Sequence, residues 1–115
     1  YHSMLRRQYQ LHRQRGEILN KALKQYLPTW KPYALNGGSA CWIDTAADID
    51  ATVLSHYAAN LGVFIESGHS FFLDDHKHKH FLRLGFGSIS ADKIDEGIRR
   101  LAQATEEYCL YNWAD

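Results

Sequence analysis

The chain has 115 residues, equal numbers of basic and acidic side chains, and an ordinary apolar content. This length fits one domain with its own hydrophobic core, and the zero net charge excludes a strong overall attraction to nucleic acids or membranes. No apolar run is long enough to cross a membrane and no signal peptide is visible, so we expect a cytoplasmic location.

The first part of the chain is basic, and Glu17 is its only acidic side chain up to Lys31. Such a segment can contact nucleic acid or an acidic partner. Its charges are spread out, however, without tight clustering or interleaved aromatic residues, and we therefore favour a solvated helix face.

Hydrophobic periodicity predicts the elements in chain order. Residues 1–27 have helical spacing, and Pro28 ends the helix because proline lacks a backbone donor. The further predicted elements are a strand at 39–44, a helix capped by Asp48 or Asp50, a short strand at 63–65, a strand at 81–86 and a helix capped by Ser90. This order predicts an α+β fold, with a small, largely antiparallel sheet of three or four strands and helices packed on one face.

The two cysteines, Cys41 and Cys109, are far apart in the sequence and have no metal-binding spacing. Each lies in an apolar context, which predicts buried free thiols and a reducing compartment.

Three histidines alternate with lysines just before the strand at 81–86. His76, His78 and His80 would point the same way along an extended chain, and such imidazoles can bind zinc or nickel. Same-face residues on a strand are about 6–7 Å apart, which is awkward for three ligands of one ion. A solvated loop that leads into the strand is therefore the favoured interpretation.

Arg83 stands in the middle of the apolar strand at 81–86. Alternation places Leu82, Leu84 and Phe86 on the core side, and Arg83 on the opposite face of the sheet. A guanidinium is a rigid, charged fork that suits a carboxylate or a phosphate. From spacing alone, a salt bridge with Glu66 or Asp44 on a neighbouring strand is the favoured alternative.

Three segments together are similar to the C-terminal small domain of fold-type I, pyridoxal-phosphate-dependent aminotransferases. These segments are GGSACWID (37–44), GVFIESGHSFF (62–72) and FLRLGFGSISADKIDEGIRRLAQA (81–104). Within that superfamily the chain most resembles the aminotransferase-like domain of GntR/MocR-type transcriptional regulators. Ser67 departs from the family pattern, because the family usually has proline at this position, directly before the glycine that is Gly68 here.

The resemblance implies that Arg83 binds the carboxylate of an amino-acid substrate or effector. It also implies a single domain, 1–115, from the C-terminal part of a larger protein, in which 1–27 is a connecting helix and 36–115 forms the sheet and helices. The implied partners are a large pyridoxal-phosphate-binding domain of the same chain, a second copy in a homodimer, and DNA through a missing N-terminal domain.

The family's cofactor-binding lysine, the aspartate that pairs with the pyridine nitrogen, and the phosphate-binding groups have no match in this sequence. We therefore expect no catalytic residue and no tightly bound cofactor in this chain. Two alternatives remain open, namely the small domain of a genuine aminotransferase and a free-standing α+β module for ligand binding or protein interaction.

Overall fold

The computed structural model describes residues 2–34, 40–46, 48–68, 80–85 and 90–112. Within these residues the chain forms α1 (His2–Tyr26), β1 (Lys31–Ala34), β2 (Ala40–Asp44), α2 (Ala51–Asn60), β3 (Glu66–Ser67), β4 (Phe81–Gly85) and α3 (Ala91–Asn112). The predicted core residue Phe86 and the histidines at 76 and 78 lie outside the described residues.

The four strands form one sheet in the order β1-β2-β4-β3, and every neighbouring pair is antiparallel. Strands β2 and β4 are therefore central, while β1 and the two-residue β3 are edges. This arrangement confirms the predicted α+β fold with a small antiparallel sheet.

One face of the sheet is covered by all three helices. The most deeply buried large apolar side chains come from α1, α2, α3 and the central strands, and none is more than 2% exposed: Leu19, Leu23, Ile43, Leu54, Leu82 and Leu101. Their burial supplies most of the driving force for this fold. In the described part of the chain, no helix is both long and apolar enough to span a membrane.

Helix α2 is fixed at both of its ends by polar contacts. The Asp50 carboxylate accepts hydrogen bonds from the backbone N–H groups of Thr52 and Val53, and Asp50 is thus the N-cap. Beyond the helix, Gly62 has a φ of +82°, a left-handed conformation that glycine adopts without steric cost. The Arg100 guanidinium donates to the Leu61 carbonyl at 3.2 Å, which ties this end of α2 to α3.

Two strands differ from the sequence-based prediction. Strand β1 was not predicted, because Pro32 weakens the strand pattern. The sheet begins at Lys31, and the prediction that it begins at residue 36 is wrong. Proline is tolerated there because β1 is an edge strand. The prediction of a strand at 63–65 is also wrong. Val63 and Ile65 are buried in the core, but strand pairing begins only at Glu66, the first residue of β3.

One of the two cysteine predictions is also wrong. Cys41 is buried on the core side of β2, and this burial raises the pKa of its thiol. Cys109, by contrast, is exposed: it follows Tyr108, which is buried in the core, and lies beside the buried stripe of α3. Leu110 and Tyr111 beside it are 77% and 76% exposed.

Candidate functional site

Arg83 lies in the middle of β4 on the face of the sheet that the helices do not cover. Its neighbours Leu82 and Leu84 are 0% and 5% exposed and belong to the core cluster, whereas the Arg83 side chain is 31% exposed. Successive side chains of a strand point to opposite faces. The predicted orientation of Arg83, away from the core, is therefore confirmed.

The Arg83 guanidinium forms an ion pair with Glu66. Glu66 on β3 is directly opposite Arg83 in the antiparallel register, and Nη1 of Arg83 donates to Oε1 of Glu66 at 2.8 Å. The Glu66 side chain is 55% exposed, so the pair lies at the surface of the sheet. The salt bridge that the sequence offered as an alternative is present, with Glu66 and not Asp44 as the acid.

A row of four residues crosses the whole sheet at the level of Arg83. Tyr33, Trp42, Arg83 and Glu66 are register partners on β1, β2, β4 and β3, in that spatial order. Directly opposed residues have Cβ atoms about 4.5–5.5 Å apart, so each can contact the next. Two aromatic residues thus lie on one side of the arginine fork and a carboxylate on the other. Tyr33 was not predicted as part of this row, because strand β1 was not predicted.

Of the three histidines of the predicted metal site, only His80 lies in the described residues, directly before the first residue of β4. Nε2 of His80 is 3.5 Å from Oδ1 of Asp44, and its ring lies 4.7 Å from the ring of Phe81. Alternation continued back from β4 would place His80 on the side of Leu82, but its ring contacts Asp44 and Phe81. Residue 80 precedes the strand, so the alternation of the strand does not extend to it. Among the residues with a described position, no cluster could hold a metal ion.

Within the described residues, the space around the last residue of β4 is open. Gly85, two residues along, is exposed, and a Cβ added to it would meet no described atom within 4 Å. A side chain at this position would occupy space next to the guanidinium. Within the described residues, the glycine therefore leaves space beside Arg83.

The described residues do not fit a pyridoxal phosphate site. A lysine that carries this cofactor works from a desolvated environment, where its pKa is lowered. The four described lysines are all exposed: Lys21, Lys24, Lys31 and Lys93. None of these four lysines has the desolvated environment of a lysine that carries the cofactor. Arg83, on the helix-free face, is a candidate for binding the carboxylate of a ligand.

Two curated proteins match most of the chain in sequence, although no family model matches it. The HTH-type transcriptional regulator TauR of Rhodobacter capsulatus is 31% identical over 104 residues, which cover 90% of this chain and 22% of that protein. Aromatic-amino-acid aminotransferase 1 of Thermococcus litoralis is 32% identical over 103 residues, covering 85% and 24%. The chain therefore spans less than a quarter of the length of these relatives.

Solved structures of aminotransferases have the same fold over most of the chain. A multiple substrate aminotransferase from Thermococcus profundus superposes with a TM-score of 0.77 at 26% identity, covering 89% of this chain and 25% of that one. Kynurenine aminotransferase of Pyrococcus horikoshii gives 0.75 at 29% identity, covering 85% and 24%. LysN, an α-aminoadipate aminotransferase of Thermus thermophilus that was crystallised with N-(5'-phosphopyridoxyl)-L-leucine, gives 0.77 at 22% identity, covering 89% and 26%.

Proposed function

The chain is homologous to the aminotransferase-like domain of pyridoxal-phosphate-dependent proteins, and we propose that it is the small domain of a GntR/MocR-type transcriptional regulator. In this proposal Arg83 binds the carboxylate of an amino-acid effector through two parallel hydrogen bonds. The observation that carries the proposal is the position of Arg83, which projects from the centre of the sheet on the face without helices.

The exposure of Arg83 and Glu66 supports a second ligand-contacting surface, or wall, outside this chain. Ligand pockets bury most of a small ligand, whereas Arg83 and Glu66 are one third and one half exposed. The relatives are about four times as long as the matched region. We propose that a large domain of the same protein supplies this wall, the pyridoxal phosphate and the groups that hold the cofactor. In the same proposal the protein is a cytoplasmic homodimer and binds DNA through a separate N-terminal domain.

The effector-binding role is tested by Arg83→Ala in the full-length protein. Amino acids are screened one at a time by thermal shift, and the affinity of those that bind is measured by calorimetry. Hydrogen bonds to charged groups contribute about 1.5–3 kcal/mol each, so we expect the affinity to fall at least about tenfold. Absorbance of the bound cofactor should not change, because the proposal assigns the cofactor to the large domain.

A matched control is Arg99→Ala, which removes an arginine that is 55% exposed on α3 and lies 3.9 Å from Glu96. This variant should bind amino acids with unchanged affinity. Equal affinities for Arg83→Ala and the unaltered protein would refute the assignment of Arg83.

A genuine aminotransferase is the second candidate, because the identity to the aminotransferase of Thermococcus litoralis is as high as that to the regulator. The same Arg83 would then bind a substrate in place of an effector. Two assays on the full-length protein separate the candidates: amino-group transfer to 2-oxoglutarate, and retardation of DNA from its own promoter region. DNA retardation without amino-group transfer supports the regulator, and the reverse result supports the enzyme.

A further inference from the structure

We propose that Glu66 sets the charge specificity of the Arg83 site, an inference that rests on the proposed carboxylate-binding role of Arg83. The Glu66 carboxylate already accepts a hydrogen bond from the Arg83 guanidinium at 2.8 Å, on the sheet face where the ligand is expected. It therefore competes with a ligand carboxylate and favours ligands that carry one carboxylate over those that carry two.

The backbone holds Glu66 in this position. Glu66 is the register partner of Arg83 in the β3–β4 pair, and the residues on either side of it, Ile65 and Ser67, are 8% and 6% exposed. Two buried neighbours anchor the strand and direct the residue between them outwards. Strand register thus brings Glu66 opposite Arg83, where the two side chains form a partly exposed ion pair.

A ligand carboxylate at Arg83 would lie close to the negative charge of Glu66. Charge-assisted hydrogen bonds from guanidinium to carboxylate measure about 2.7–2.9 Å, so two carboxylates on one guanidinium lie within roughly 6 Å of each other. Like charges at this distance repel, and the repulsion is moderate where the groups are partly exposed. Glu66 therefore weakens every carboxylate ligand, and a second carboxylate on the ligand adds to the repulsion.

Among the described residues, the other charges on this face of the sheet do not compensate for Glu66. The described strands carry two basic and two acidic residues, namely Lys31, Arg83, Asp44 and Glu66. Asp44 is the register partner of Lys31. The described residues on this helix-free face therefore carry no surplus positive charge that would attract a dianion. The face is suited to a ligand with a single carboxylate.

Glu66→Gln in the full-length protein tests the inference, because glutamine keeps the shape and an acceptor oxygen but removes the charge. Calorimetric titrations use butyrate and succinate, which have the same chain length and one or two carboxylates. We expect Glu66→Gln to bind butyrate about threefold to tenfold more tightly, in line with the repulsion of partly exposed charges. The gain for succinate should be larger, because both of its charges are affected.

Glu96→Gln is the matched control. Oε1 of Glu96 accepts a hydrogen bond from Nη2 of Arg100, also at 2.8 Å, and its side chain is 41% exposed on α3. This pair lies on the helix layer, on the other side of the sheet, and its removal should leave both affinities unchanged.

The outcomes separate this inference from the proposed function. If Arg83→Ala abolishes butyrate binding while Glu66→Gln leaves both affinities unchanged or weakens them, Glu66 does not set the charge specificity but the role of Arg83 stands. If Arg83→Ala has no effect on butyrate binding, the proposed function itself fails. Tighter binding of butyrate and a still larger gain for succinate in Glu66→Gln, with no change in Glu96→Gln, establishes the inference.

Discussion

Neighbouring residues of the same strand lie on two different faces of the sheet. The inner face is covered by the helices, and the outer face is not. On the inner face, Leu82 is completely buried under the three helices. On the outer face, Arg83 is one third exposed and is paired with Glu66, with Trp42 as its register partner on the other side. The contrast shows that β4 keeps core packing and an exposed ion pair on alternate residues, so that either one can be altered separately.

The largest expected effect comes from the inner face. Leu82→Ala should lower the free energy of unfolding by about 2–5 kcal/mol, because it removes a fully buried side chain and leaves a cavity. Arg83→Ala should cost less than about 1 kcal/mol, since its ion pair is exposed. Urea denaturation of the two variants measures the difference. Similar losses would contradict the division between the faces.

The two cysteines give the next largest contrast. Cys41 lies on the inner face, and burial raises the pKa of its thiol, whereas Cys109 is exposed on α3. The thiolate is the reactive form, so Ellman's reagent at about pH 8 should modify Cys109 at least about tenfold faster than Cys41. Cys109→Ser should remove the fast phase. Loss of the fast phase in Cys41→Ser would show that the assignment is inverted.

The helix layer that closes the inner face depends in part on the Asp50 cap. Asp50→Ala should lower the free energy of unfolding by about 1 kcal/mol, because the carboxylate accepts hydrogen bonds from two N–H groups at the start of α2. Asp50→Ser keeps an acceptor oxygen and should restore most of this stability. If serine were no better than alanine, the cap would not be the reason for the loss.

The smallest expected effect concerns the hydrogen bond between α1 and α3. The Tyr26 hydroxyl donates to Oδ2 of Asp95 at 3.0 Å, and this hydrogen bond, aided by the charge of Asp95, raises the pKa of Tyr26. The folded state thus holds the proton more tightly than the unfolded state. The resulting stability is fully present below about pH 10 and is lost as the pH rises through the raised pKa.

Tyr26→Phe tests this pH dependence, because phenylalanine cannot donate the hydrogen bond. The difference in unfolding free energy between the two proteins should be constant near neutral pH and should shrink at alkaline pH. A difference that grows with pH would contradict the assigned direction of the pKa shift.

The orientation of Arg83 could be predicted because its neighbours in the strand are unambiguous. Leu82 and Leu84 are apolar residues in strict alternation, and both are buried as expected. The choice between Glu66 and Asp44 as partner could not be made, because strand register depends on long-range pairing and not on local sequence. The position of Glu66 relative to Arg83 therefore needed the three-dimensional structure.

The errors elsewhere have local physical causes. Strand β1 contains Pro32, whose missing donor is tolerated only because the strand is an edge. The apolar pattern of 63–65 reflects burial against the helices and not strand pairing. Cys109 lies beside the apolar stripe of α3, next to the buried Tyr108, and the apolar pattern alone does not decide whether such a flanking position is covered.

The most direct test of the central claim compares the affinity for butyrate of the full-length protein with that of its Arg83→Lys variant. Lysine keeps the positive charge but lacks the planar fork that binds a carboxylate through two hydrogen bonds. We predict at least about a tenfold loss of affinity by calorimetry, equivalent to the loss of one hydrogen bond to a charged group. An unchanged affinity would contradict the assignment of Arg83 as the carboxylate-binding residue.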